Sequence, residues 1–204
     1  MADTNTTALS FQTLRRIVGI LGIALPILVA IVGAFVLGHF MVLPAISDYY
    51  DLRTRDIFVG ILFTIGWFLF AYRGYDSKDA LLGKIAGVSA LLIALFPNSG
   101  TVFDHFVHVA GSIVLFQSLA YYTLFQFTKT VGTPTPQKLA RNRIYNFCGY
   151  TMLGCMIIMG IAELHPKWFF PNVLFAGETL TLWAFGFSWL VKGNTFWKDK
   201  PNAG

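Results

Sequence analysis

The chain has 204 residues, 55% of them hydrophobic and 12% charged, with 15 Lys and Arg against 10 Asp and Glu and a net charge of +5. Soluble domains carry about 25% charged residues, so this is a membrane composition. The positive charge does not point to nucleic acid, because the basic residues sit at the ends of apolar stretches and no glycine-rich phosphate loop, zinc-finger spacing or basic–aromatic run is present.

Residues 1–16 form a polar segment that reads as a cytoplasmic tail. Arg15 and Arg16 precede an apolar stretch too long for a signal-peptide core, with no persuasive cleavage site, which predicts an uncleaved first helix. Stretches of about 20 mostly apolar residues between charged or turn-forming breaks then predict six spans. The first covers about residues 17–38, with Pro26 as a tolerated kink, and HFMVLPAISDYYDLRTRD follows it as an external loop. The second covers about 57–72 and is closed by RGYDSKD; the third covers about 80–96 and stops at Pro97-Asn98-Ser99-Gly100, a strong turn signal. The fourth covers about 103–127, followed by KTVGTPTPQKLARNR, which reads as a basic loop. The fifth covers about 144–161, then ELHPKWFFP, and the sixth about 172–191. No internal repeat interrupts this order. The expected fold is all-α: one polytopic six-helix transmembrane domain (17–192) between a tail at 1–16 and a tail at 193–204.

With the N-terminus inside, twelve of the fifteen basic residues fall on the cytoplasmic side, leaving only Arg53, Arg55 and Lys167 outside. That bias orients both termini to the cytoplasm, and the cytoplasmic (inner) membrane is the expected location. The four histidines, His39, His105, His108 and His165, all fall at or near the outer face, so any chemistry faces outward.

Glu178 stands out, since a carboxylate inside a span costs about 2.5–3.5 kcal/mol on insertion scales and usually faces the interior of a bundle. Asp104, His105 and His108 lie at the outer end of the fourth span, where spacings of three and four place residues on one helical face. Such a D-H-x-x-H set can hold a transition metal such as zinc, or Asp104 can orient His108 as a proton carrier. A plain interfacial cap is the third reading. Asp48, Arg53, Arg55 and Asp56 can pair among themselves in the external loop, or meet an anionic headgroup through the planar arginine fork. Tyr49, Tyr50, Trp168, Phe169, Phe170 and Trp197 read as interface anchors, and Asp76 and Asp79 as caps. Cys148 and Cys155 are about 10.5 Å apart along a helix, too far for a disulfide. Gly83, Gly87, Gly149 and Gly154 can pack within one chain or between copies.

The P-x-I-S-D run (Pro44, Ile46, Ser47, Asp48) after the first span, with RDIFVG, YRGYD, ALFP and FGFSWLVKG, resembles the Frag/DRAM/Sfk superfamily over most of the chain. That resemblance implies six spans and a lipid-linked role. The D-H-x-x-H set is also similar to the seven-helix alkaline ceramidase group, zinc-dependent amide hydrolases. Here there are six spans, and Glu178 stands where that group has an H-x-x-x-H pair on the last helix.

The expected site is therefore an outward polar cavity lined by Arg55, Asp56, Asp104, His108 and Glu178. It would receive a lipid or amphiphile headgroup, with His108 and Glu178 handling a proton. The alternatives are a metal-dependent hydrolase of lipid amides or esters using His105, His108 and Asp104, a pH-responsive transporter or channel, and a structural subunit. Membrane lipids are the expected partners, with a second copy or a membrane complex as a further possibility.

Overall fold

The computed structural model describes residues 11–74, 77–130 and 132–196. These form six α-helices and no strand: α1 (Phe11–Leu37), α2 (Arg55–Ala71), α3 (Ser77–Leu95), α4 (Val102–Tyr121), α5 (Pro136–Leu164) and α6 (Val173–Lys192). The all-helical expectation holds. Four helices are long and apolar enough to cross a membrane: α1, α5, α6, and α4 with the π-helical turn Tyr122–Gln126 that extends it. The other two fall short for different reasons. At 17 residues α2 is about 25 Å long, against about 30 Å of hydrocarbon. In α3 the apolar run is diluted by Lys78, Asp79 and Lys84 in its first two turns.

Each helix packs against the next in sequence, and α6 returns to lie against α1. Small residues make the closest approaches. A Cβ on Gly186 would come 2.5 Å from the Gly19 carbonyl oxygen, and one on Gly87 would come 2.6 Å from that of Gly66, so α1–α6 and α2–α3 pack backbone against backbone. Gly83 and Gly149 likewise pack within the chain, whereas Gly154 faces open space. The centre of one end is aromatic. Trp189, Tyr122, Phe127, Tyr145 and Phe185 are fully buried, with Trp189 ring centroids 5.3–6.0 Å from Tyr72, Tyr122, Phe127 and Phe185. The π turn, closed by the 2.8 Å bond from the Phe127 N–H to the Tyr122 carbonyl, carries Tyr122 and Phe127 into this cluster.

Three expectations need correction. Residues 11–16 are helical rather than tail, and Arg16 Nε donates to the Gly193 carbonyl at 2.8 Å, tying the start of α1 to the end of α6. The helix α5 begins at Pro136, eight residues before the expected span. Thr135 accepts from the Lys138 N–H at 3.1 Å as its cap, and proline suits the first helical position because its missing N–H would be unbonded there. The Pro- and Gly-containing segment thus starts a helix halfway along.

The third correction concerns residues 38–54. This segment is not a solvated loop, and Tyr49 and Tyr50 are buried rather than placed as interface anchors. They are 0% and 6% exposed. The segment folds back over the helices, and its buried backbone is satisfied by side chains from elsewhere. Tyr49 Oη accepts from the Leu43 N–H at 3.2 Å, Asp48 Oδ2 from the Ala45 N–H at 3.0 Å, and Asn172 Nδ2 donates to the Val42 carbonyl at 2.6 Å. The Phe175 N–H donates to the Pro44 carbonyl at 2.7 Å. Ser99 Oγ donates to Asp51 at 2.7 Å, joining the α3–α4 turn to the same end. Trp168 and Phe170 are exposed, and Cys148 and Cys155 are free and buried. Residues 1–10, Asp76, Trp197 and the rest of the C-terminal tail lie outside the described residues.

Candidate functional site

Glu178 sits in the second turn of α6, directly behind the folded-back segment. Its Oε2 accepts from the Ile46 N–H at 2.5 Å, so the carboxylate fastens the segment to the helix. His108 is buried on α4, and its Nδ1 lies 2.8 Å from the Phe96 carbonyl. A carbonyl only accepts, so Nδ1 carries the hydrogen, and in the neutral ring Nε2 is left as an acceptor.

These two side chains line the same small, partly open pocket. Its wall also takes Leu25 from α1, Phe58 and Leu62 from α2, Ile93 from α3, Ser112 from α4, and Ile46 and Ser47 from the folded-back segment. Its volume is about 40 Å³. A water needs roughly 10–15 Å³, so the space takes a few waters or the tip of one polar group. The expected headgroup-sized cavity is not present at this position. Packing of five helices with the segment across their ends leaves a small space with mostly apolar walls.

The remaining predicted residues do not line this cavity. Asp104 closes a capping box at the start of α4: its carboxylate accepts from the Thr101 N–H at 2.8 Å, while Thr101 Oγ1 accepts from the Asp104 N–H at 3.2 Å. The T-x-x-D pattern that signals this is legible in the sequence. His105 is exposed, with Nδ1 2.9 Å from Asn98 Oδ1. Asp104, His105 and His108 thus turn to three different partners. Among the described residues no group of three His, Cys, Asp or Glu is placed to hold a metal ion. Arg55 lies over the Tyr50 ring, 4.6 Å from its centroid, and donates to Tyr50 Oη at 2.9 Å. Arg53, Arg55 and Asp56 are exposed at the start of α2, and Asp48 is spent on the Ala45 N–H. Asp104→Ala is expected to cost about 0.5–2 kcal/mol through loss of the cap. Thermal unfolding in detergent measures this, with His105→Ala as the near-neutral comparison.

A larger cavity, of about 580 Å³, lies at the opposite end. Sequence reasoning missed it. It is lined by Arg15 of α1, Lys129 of the α4–α5 linker, Lys138 and Arg141 of α5 and Lys192 of α6, together with Thr130, Tyr145 and Asn194. Lys138 Nζ donates to the Phe127 carbonyl at 2.7 Å, and Lys192 Nζ lies 5.2 Å from the Phe127 ring centroid. Arg15 Nη2 donates to Tyr72 Oη at 2.9 Å. The available signal was the spacing of Lys138 and Arg141, three apart on a helix. Reading that stretch as a loop concealed it.

Comparison with protein-family models, with curated proteins and with solved structures finds no match to this chain.

Proposed function

We propose that the chain is a multi-pass membrane protein, a bundle of six spans with both termini on the cytoplasmic side, that handles an amphiphile at its outer end. The Glu178–His108 pair is its proton-active centre. The observation that carries this reading is that a carboxylate and an imidazole from α6 and α4 line one small pocket together with Ile46 and Ser47. Intramembrane ionisable groups are costly and are mostly kept for function. The size of the space restricts what enters to water or a single hydroxyl or amine, so the rest of a headgroup stays at the surface formed by Arg53, Arg55 and Asp56. The likeness to the Frag/DRAM/Sfk superfamily belongs to the same reading.

Asp48 and Glu163 act electrostatically on Glu178, and His105 and Asp48 on His108, so any titration of the pair is read with these groups intact. Glu178→Gln separates the two roles of the side chain. The amide oxygen still accepts from the Ile46 N–H, whereas the proton-binding group is gone. Infrared difference spectra across a pH step, on protein in nanodiscs, should show a carboxyl band in wild type that is absent in Glu178→Gln and altered in His108→Gln. Intact-protein mass spectrometry should show the bound amphiphile reduced in Glu178→Gln. Identical spectra and identical bound lipid in wild type and Glu178→Gln would reduce Glu178 to a fastener and overturn the proposal.

A further inference from the structure

The polar side chains that line the Glu178–His108 pocket are Ser47, His108, Ser112 and Glu178, and together they are rich in acceptors. Glu178 takes the Ile46 N–H on Oε2, which leaves Oε1 as a further acceptor. His108 turns its Nδ1–H to the Phe96 carbonyl, so Nε2 accepts. Ser112 Oγ donates its hydrogen to the His108 carbonyl at 2.9 Å and keeps only lone pairs for the pocket. Ser47 Oγ, whose hydroxyl hydrogen rotates, is the member of the four that also donates. An anion or a carbonyl therefore meets a carboxylate and almost no hydrogen to accept. A fitting occupant brings the hydrogens itself.

We propose that this pocket receives a primary ammonium group, carried by an amphiphile headgroup or by a small soluble amine. The assignment rests on the reading of the pocket as the working site and narrows the group that enters it. An ammonium holds three hydrogens on one atom of about the size of a water, which suits several acceptors around about 40 Å³. Its hydrogen bond to an ionised carboxylate is roughly twice as strong as a neutral one. A hydroxyl brings a single hydrogen and no charge, so it leaves more of these acceptors unmet. Phe58 and Phe116 belong to the same lining, and aromatic rings attract ammonium ions. A quaternary ammonium has the same charge but methyl groups where the hydrogens would be, so it is the matched control.

The test uses the full chain in phosphatidylcholine nanodiscs. One arm titrates ethylammonium against tetramethylammonium, read by thermal midpoint and calorimetry. The other replaces part of the lipid with phosphatidylethanolamine and counts retained lipid by intact-protein mass spectrometry. Wild type is expected to prefer the primary amine to its quaternary counterpart by about tenfold in at least one arm. Glu178→Gln should abolish that preference and Ser47→Ala should weaken it. Gly154→Ala, whose added carbon meets open space, should behave as wild type. Ser47→Ala removes only a hydroxyl, so it keeps the test readable where Glu178→Gln fails to fold. A preference for ethylammonium alone assigns a soluble amine, and one for phosphatidylethanolamine alone assigns a headgroup. Equal binding of primary and quaternary amines in both arms overturns the proposal, as does a preference that survives in both pocket variants or falls equally in Gly154→Ala. The Glu178 carboxyl band, recorded on the same nanodiscs, separates the two failures. With the band present and no amine preference, only the ammonium assignment falls; with both absent, the proton-active reading falls too.

Discussion

Tyr49→Ala is expected to destabilise the protein by about 3–5 kcal/mol, the usual range for truncating a fully buried aromatic side chain. The reason lies in how many things this ring holds. It packs against Phe175 with centroids 6.1 Å apart and against the bare face of Gly33 on α1, where even a Cβ would come within 2.4 Å of it. Its hydroxyl accepts from the Leu43 N–H, and its carbonyl accepts from Thr54 Oγ1 at 2.6 Å. Removing the ring leaves a void between α1 and α6 and frees the folded-back segment that helps line the Glu178–His108 pocket. Tyr49→Phe keeps the ring and gives up the hydroxyl's bond from the Leu43 N–H and its longer one, at 3.5 Å, to the Met41 carbonyl, so it should cost only about 0.5–1.5 kcal/mol. Unfolding of both variants in detergent measures the difference, and hydrogen exchange at Leu43–Ile46 shows whether the segment has lifted. Equal costs for the two variants would mean that the hydroxyl, not the packing, holds it.

Gly186→Ala should also be costly, and for a purely geometric reason. The added carbon would lie 2.5 Å from the Gly19 carbonyl oxygen and 2.7 Å from Ile23 Cγ1. One obstacle is backbone, which cannot rotate aside, so α1 and α6 must separate. Overpacking of this kind costs about 1–3 kcal/mol, against the gain of up to about 1 kcal/mol that alanine brings to a helix. Separation also strains the Arg16–Gly193 tie and the Trp183 Nε1 bond to the Ile23 carbonyl at 3.2 Å. Gly154→Ala provides the opposite sign: nothing lies within 4 Å of its added carbon, so the helix gain stands alone and stability should be unchanged or slightly raised. A stable Gly186→Ala protein would show that α1 and α6 pack less closely than the structure places them.

The sequence by itself determined what depends on local composition. Runs of apolar residues must pair their backbone groups internally in hydrocarbon, so they become helices, and their order and number are readable one after another. Glu178 and His108 could be singled out in the same way, since a polar group in an apolar run is visible without knowing its neighbours. The limits appeared where a residue's environment comes from another part of the chain. Tyr49 and Tyr50 look like interface anchors until Phe175, Gly33 and Asn172 close around their segment. Asp104 looked like part of a metal set, although its partner Thr101 stood three residues away in the sequence.

Only the tertiary structure decided the two cavities. A cavity is the space left over after several helices pack, so its volume depends on small differences among many contacts that no single stretch encodes. That is why the expected headgroup site shrank to about 40 Å³ around Glu178 and His108. Arg15, Lys129, Lys138, Arg141 and Lys192 are spread over 178 positions of the chain and reported only sidedness when counted one by one. Their convergence on one space follows from the early start of α5 at Pro136 and the return of α6 to α1.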